Sequence, residues 1–517
     1  MSSRAVVTPH KLSAQAGRRT LEAGGNAIDA ALAAVAAQGV VAPETCGLGG
    51  DLFALIHAPG WERPRALNSS GRAGSGVDAE ELRGSGATEI PLAHRAAVTI
   101  PGCVDGMVTL AGELGKLPLE VTLEPAISLA IQGFEVSTEQ ASAFGRQANI
   151  YGNNPAVADF YPGGGPVVPG NRVTRTALAR TLETVASGGR EAFYLGQPGE
   201  DISDAVDGSI TMDDLAEIQS EWVEPIATEV AGLTAWTIPP NSQGYLGPGA
   251  LAVFEMLGPP DDPDDPMWWH LLIEAYRCLA WERDDLVADP GSSPLPAHLL
   301  LDQARLRGAA ENVDPNGTSL WPEGRSAPHS TAYLCVADGD GMAVSIIQSN
   351  YRGTGSPFGA ARSGFLLQDR GLGFTLTPGH PNELAPGKRP LHTLAPTLWT
   401  EADRPRWILG TRGGAVQPQI IAQIAARAIL GSQEPERAQQ APRWTMSEFG
   451  PGTRSTLSLE PGVSSRIVDG LRSLGHQIEV VERPQQGWGP ASIIELDGDA
   501  RRAAADPRVD TTEALVF

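Results

Sequence analysis

The residues best placed to do chemistry begin at Thr331. From there the chain reads Thr-Ala-Tyr-Leu-Cys-Val-Ala-Asp-Gly-Asp-Gly-Met-Ala-Val-Ser, two apolar runs, Ala332 to Ala337 and Met342 to Ile347, joined by an Asp-Gly-Asp-Gly turn at 338–341. Such runs about such a turn predict a β-hairpin. A hydroxyl residue heads the buried strand and follows a Gly/Pro/Ser-rich loop, Glu323 to Ser330. A cut between Ser330 and Thr331 would give the threonine a free α-amine beside its own hydroxyl, and that amine can act as the base that activates it. Taken by itself, the same threonine also reads as an ordinary strand-edge residue.

Other stretches supply what such a nucleophile needs. Ile408-Leu409-Gly410-Thr411-Arg412-Gly413-Gly414 sets two glycines just past a short apolar strand, where bare backbone can approach a substrate and present N–H groups to a developing oxyanion. The glycine loop Pro43 to Asp51 has no strand before it, no G-x-G-x-x-G and no Walker lysine, so it is not read as a phosphate cradle. Behind these stand the elements that must position them. Residues 11–22 and 27–38 have helix-forming composition, each closed by glycine, and Asn26 with Asp29 forms a capping-box pattern at the start of the second. Its alanines would let that helix lie close against a sheet. Gly/Asp/Pro-rich loops at 161–171 and 258–266 punctuate the chain, and there is no internal repeat.

The 517 residues leave the domain count open and provide ample length for a large core. With 41% hydrophobic residues and no uninterrupted apolar run of membrane-spanning length, a globular protein without a span is expected. A net charge of −23 disfavours nucleic acid and anionic membrane as partners. Cys46, Cys103, Cys278 and Cys335 are widely spaced, with no C-x-x-C or H-E-x-x-H, so neither a disulfide framework, a metal site nor a cofactor is signalled, and the thiols are expected to be reduced and buried. The N-terminus lacks the charged start and long apolar segment of a secretory signal, and a cytoplasmic location is expected.

The run from Thr331 to Gly341, Ser349-Asn350-Tyr351, Gly353 to Ser356, Gly24 to Ala31, Pro386 to Pro396, Ile408 to Gly414 and Ala505 to Arg508 together resemble the γ-glutamyltranspeptidase family over nearly the whole chain. That resemblance implies an α+β fold, the four-layer αββα sandwich of N-terminal nucleophile hydrolases. It also implies one precursor that cuts itself into a large-subunit part, 1–330, and a small-subunit part, 331–517, which stay associated as one globule, a higher oligomer being possible. Thr331 would be the nucleophile, and Ser349 stands where the family has a threonine whose hydroxyl bonds to it. Gly413 and Gly414 would form the oxyanion hole.

The pocket residues implied by the resemblance depart from the family's pattern. The arginine that holds the substrate α-carboxylate falls two places before Arg72, at Ser70, so Arg72 either substitutes for it or pairs with a surface acid. Beside Asn350, the positions that hold the α-ammonium read Tyr351, Arg370 and Gly373, the paired serines read His392 and Thr393, and the lid-bearing segment, Phe374 to Gly387, is shorter. A guanidinium cannot hold an ammonium, so an Arg370 that faces the pocket favours a carboxylate or carbonyl, whereas one paired with Asp369 or another acid would be structural. The expectation is an amidohydrolase acting on a small-molecule amide whose acyl group lacks the α-amine, such as a short dicarboxylic or oxo-acid amide. A genuine γ-glutamyl hydrolase or transferase, and a silent binding relative, stand as alternatives. Mass spectrometry of the purified chain is expected to give two pieces, 330 residues and the remaining 187, while Thr331→Ala stays whole and inactive; an active enzyme that persists as one full-length species would contradict this reading.

Overall fold

The computed structural model describes residues 3–318, 330–446, 456–484 and 486–517; the loop expected ahead of the nucleophile lies outside the described residues up to 329. Among the described residues, two antiparallel sheets carry the architecture. Strands β1 (Ala5–Thr8), β2 (Asp51–His57), β3 (Arg65–Ser69) and β4 (Glu221–Val223) enter the first sheet, and β5 (Ile226–Val230) and β6 (Leu233–Thr237) enter the second. The expected hairpin is β7 (Ser330–Ala337) and β8 (Ala343–Tyr351), in the first sheet. Then β9 (Thr397–Glu401), β10 (Arg404–Thr411), β11 (Ala491–Asp497) and β12 (Ala500–Ala505) complete the second sheet, and β13 (Glu513–Val516) returns to the first. The orders are β13-β1-β7-β8-β2-β3-β4 over seven strands and β12-β11-β10-β9-β6-β5 over six. Strands from both sides of the 330/331 junction therefore interleave, with the hairpin inside the sheet.

The hairpin is buried on both faces, which is why its sequence reads as nearly continuous apolar runs instead of alternating ones. Tyr333, Cys335, Ala337, Ala343 and Ile347 pack against Leu398 and Ile408 of the second sheet. Leu334, Val336, Val344 and Ile346 point the other way, into a core shared with helices α1 (Lys11–Glu22) and α2 (Ala27–Val41). Helices at Leu246–Met256, Pro266–Ala280 and Gln417–Ala425 cover the outer face of the second sheet. The result is helices, sheet, sheet, helices: an αββα sandwich.

Local chemistry fixes the joins. The Asn26 side chain accepts from Ile28 N and Asp29 N while Asp29 returns a carboxylate to Asn26 N, the capping box the sequence predicts. Gly39 does not end α2, which runs on to Val41. A Cβ there would come within 3.2 Å of Gly47 Cα, so this glycine serves close approach to the glycine loop and not termination. Asp338 closes the hairpin turn by accepting from Asp340 N and Met342 N through one oxygen, and binds α2 to it by accepting from Ala27 N through the other. The four cysteines are free and buried, and no helix among the described residues is long and apolar enough to cross a membrane.

The two sheets meet without room to spare where Gly410 of β10 faces Tyr333 of β7, two residues from Thr331; an added Cβ would run into the Tyr333 ring. Gly410→Ala is expected to destabilise the protein by about 1–3 kcal/mol through overpacking and to slow cleavage between Ser330 and Thr331, checked by thermal melts and timed denaturing gels. Wild-type melting and cleavage in this variant would mean that the sheets can part freely at this point.

Candidate active site

Thr331 and Ser349 share the face of the hairpin that looks toward the second sheet, at the open end of the sandwich. The pairing runs in step to Gln348 opposite Ala332, then slips so that Tyr351 stands opposite Ser330. Ser349 and Asn350 thus both lie across from Thr331, a bulge of the kind that re-aims side chains at a sheet end. Thr331 Oγ1 donates to Ser349 Oγ at 3.2 Å, and Tyr351 N donates to the same oxygen at 2.8 Å. Thr331 is 1% exposed. The slip leaves Tyr351 at φ +80°, and turns Asn350 to the opposite face, where its Nδ2 donates to Thr354 O and its Oδ1 lies over Gly50.

Arg370 follows directly from this turn. It is fully buried, its guanidinium carbon sits 3.9 Å from the centre of the Tyr351 ring, and Nη1 donates to Thr393 Oγ1 at 3.2 Å. Nε and Nη2 have no hydrogen-bond partner among the described residues. The pairing with Asp369 is not made: Asp369 accepts from Arg352 N at 2.8 Å through Oδ1, and its Oδ2 has no hydrogen-bond partner among the described residues. Burial raises the Asp369 carboxyl to about 7 and lowers the Arg370 guanidinium to about 10. Gly373 approaches the next segment so closely that a Cβ would meet Leu391 O at 2.7 Å, leaving no room for an acidic side chain without movement.

The remaining candidates divide. Thr393 joins the Arg370 wall. His392 turns inward: it accepts from Leu394 N through Nδ1 at 3.3 Å and meets Asp51 Oδ2 through Nε2 at 3.0 Å, so both ring nitrogens are used inside the protein, and burial followed by the Arg370 charge lowers its pKa to about 3. Arg72 is partly exposed, donates to Gly387 O at 3.4 Å and lies 3.6 and 3.8 Å from Glu221 and Asp289. These are the surface acids anticipated as its alternative to substrate. Ser70 is buried under Arg389, whose Nη1 donates to Ser70 O at 2.6 Å and Asn68 Oδ1 at 2.9 Å.

Gly413 and Gly414 follow β10, past Arg412, with φ of +137° and +55°. Gly414 opens a 3₁₀ turn, Gly414–Val416, where the leading N–H groups have no partner within the turn. Gln243, missed in the sequence reading, ties this backbone to the pocket by donating to Gly414 O at 2.9 Å and Thr393 O at 3.1 Å. A continuous line of contacts therefore runs Thr331, Ser349, Tyr351, Arg370, Thr393, Gln243, Gly414. Asp51 and Gln368 were missed as well; Asp51 closes the glycine loop Pro43 to Asp51, which the sequence excludes as a phosphate cradle. A cleft of about 970 Å³ opens alongside, its wall including Tyr151, Arg352, Gly353, Asp369 and Arg412. His270, Glu274 and His476 bring ligand atoms within 4.8 Å of one another elsewhere, in the helical core over the second sheet. There the two imidazoles bond to each other at 2.8 Å and Glu274 pairs with Arg277 at 2.7 Å.

A threonine at the head of a central strand of an αββα sandwich, with a second hydroxyl on its oxygen and a glycine turn at the same end, defines an N-terminal nucleophile amidohydrolase. The chain belongs to the γ-glutamyltranspeptidase family, whose model, described as gamma-glutamyltranspeptidase, matches residues 13–516. It is 35% identical to the glutathione hydrolase-like YwrD proenzyme of Bacillus subtilis over 98% of this chain and 97% of that protein. It is 33% identical to the oxamate amidohydrolase proenzyme of Klebsiella pneumoniae over 97% and 96%. Among solved structures, cephalosporin acylase from Bacillus halodurans superposes with a TM-score of 0.90 at 32% identity, over 99% of this chain and 96% of that one.

Asp369 gives the site a pH dependence of its own. Facing it are Arg352, Arg370 and Tyr151. Below pH 7 its carboxyl is neutral and leaves the Arg370 charge undiminished; as pH rises through about 7 the carboxylate forms beside the guanidinium and offsets it. Inhibition by glutarate is expected to weaken several-fold from pH 6 to 8, and Asp369→Asn to flatten the profile. Inhibition that strengthens over that range would contradict the assignment.

Proposed function

We propose that this enzyme hydrolyses small amides whose acyl group lacks the α-ammonium of a γ-glutamyl group and ends in a carboxylate or oxo oxygen. The observation that carries this is Arg370: a buried cation with two N–H groups open, one contact chain away from Thr331. Leaving such groups unpaired is costly, so the site gains most from a ligand that accepts hydrogen bonds.

The chain first matures. Thr331 Oγ attacks the carbonyl of Ser330, the C–N bond breaks to leave an ester and a free Thr331 amine, and water hydrolyses the ester to a Ser330 carboxylate. The amine titrates at about 7.7–8.0 and takes the hydroxyl proton as Oγ attacks the substrate carbonyl. Ser349 fixes the direction of Oγ, and the Gly413 and Gly414 N–H groups receive the oxyanion, a donor there being typically worth about 2.7–4 kcal/mol. The proton passes to the departing amine, and water opens the acyl-threonine ester.

The likeness to a protein named for oxamate supports this reading, since the acyl half of oxamate ends in a carboxylate and bears no ammonium. The likeness to a glutathione hydrolase-like protein favours a second reading, γ-glutamyl hydrolysis with a rearranged set of contacts. Two p-nitroanilides decide between them. A guanidinium facing the substrate repels an α-ammonium and leaves its own N–H groups unmatched, so kcat/KM for the glutaryl compound is expected to exceed that for the γ-glutamyl compound by roughly tenfold or more. Arg370→Gln should narrow the gap. A wild-type preference of that size for the γ-glutamyl compound would make the second reading the correct one.

A further inference from the structure

Asp51 holds a fully buried carboxylate that no step above uses. It heads β2 directly across from Ser349. Its Oδ1 accepts from Gly71 N at 2.8 Å and from Gln368 Nε2 at 2.9 Å, and its Oδ2 meets His392 Nε2 at 3.0 Å. Gln368 lies two residues before Arg370. His392 precedes Thr393, whose hydroxyl takes the one hydrogen bond Arg370 makes among the described residues. The carboxylate is thus ringed by the same two segments that hold the guanidinium, close enough for each charge to feel the other, yet the two make no ion pair. A buried carboxylate and a buried guanidinium so placed gain strongly by pairing. Neutral donors hold the carboxylate instead. Leu394 N points at His392 Nδ1, which fixes the proton on Nε2, facing Asp51.

We infer that His392, with Gln368, is a positioning residue for Arg370: by saturating Asp51 with uncharged N–H donors, the two keep the carboxylate from capturing the guanidinium, so that Nε and Nη2 stay open to the acyl donor. This rests on the reading of Arg370 as the group that recognises the donor. It gives a physical reason for an imidazole and a glycine-loop aspartate at this place, where the resembling family has the first of its paired serines opposite the pocket.

The test uses the mature enzyme with glutaryl and butyryl p-nitroanilides, which differ in the terminal carboxylate. His392→Leu removes the donor without changing charge; Arg370 then turns to Asp51, and the glutaryl-to-butyryl ratio of kcat/KM is expected to fall roughly tenfold or more, through KM. His392→Gln, whose amide N–H can replace the ring donor, should keep most of the preference. Adding Asp51→Asn to His392→Leu removes the capturing charge and should restore it, which a packing defect would not do. An unchanged ratio in His392→Leu, or a double variant no better than the single, would overturn the inference. If His392→Leu fails to mature, Gln368→Leu strips the other donor and is read by the same ratio. A wild-type enzyme with no preference for glutaryl over butyryl would refute the role of Arg370 itself, a separate failure.

Discussion

Burial of the β7–β8 hairpin on both faces is the constraint from which the site follows. Strands that contact a helix layer on one side and a second sheet on the other cannot slide or turn without exposing a whole row of side chains, so the register of β7 is pinned. That register keeps the Thr331 hydroxyl within hydrogen-bond reach of Ser349. It also explains why the other functional groups gather at one end. Antiparallel neighbours bring the starts of β2, β7 and β9 beside the ends of β3, β6, β8 and β10, so Thr331, Asp51, Ser349, Gly413 and the segment before β9 converge without any long-range design beyond the sheet order.

At that end the energetics turn on charge held away from water. Arg370 lies in a protein of net charge −23, yet no acid among the described residues pairs with it. Aromatic stacking on Tyr351 offsets part of the desolvation cost, while Nε and Nη2 keep no hydrogen-bond partner among the described residues. Tyr351 can stack there only because the bulge forces it to positive φ. The same irregularity that sets Ser349 over Thr331 therefore also places Tyr351 against Arg370, and the hydroxyl pair and the buried guanidinium share one local distortion.

Much of this was legible in the sequence. The Asp-Gly-Asp-Gly turn, the Asn26 and Asp29 cap and the apolar strand ahead of Gly413 are local patterns, and local patterns set local structure. The departures at Tyr351, Arg370 and Gly373 could be read by comparison with a family pattern. What could not be read is which polar groups satisfy one another across hundreds of residues. Asp51 meets Gln368 and His392 over sequence separations of 317 and 341, and Arg389 reaches Ser70 over 319. Those partnerships place His392 inside the wall and Arg72 at the surface. Gly39 misled for a similar reason, because a glycine that admits a neighbouring backbone has the same letter as one that ends a helix.

The central claim is that the open N–H groups of Arg370 read an oxygen of the acyl group. A crystal structure of the mature enzyme with glutarate tests it most directly. The account predicts one carboxylate near Thr331 Oγ and the Gly413 and Gly414 N–H groups, and the other within hydrogen-bond distance of Arg370 Nε or Nη2, with Asp51 still bonded to His392. Glutarate bound with its second carboxylate elsewhere, or Arg370 found paired with Asp51 or Asp369 in the occupied site, would contradict it.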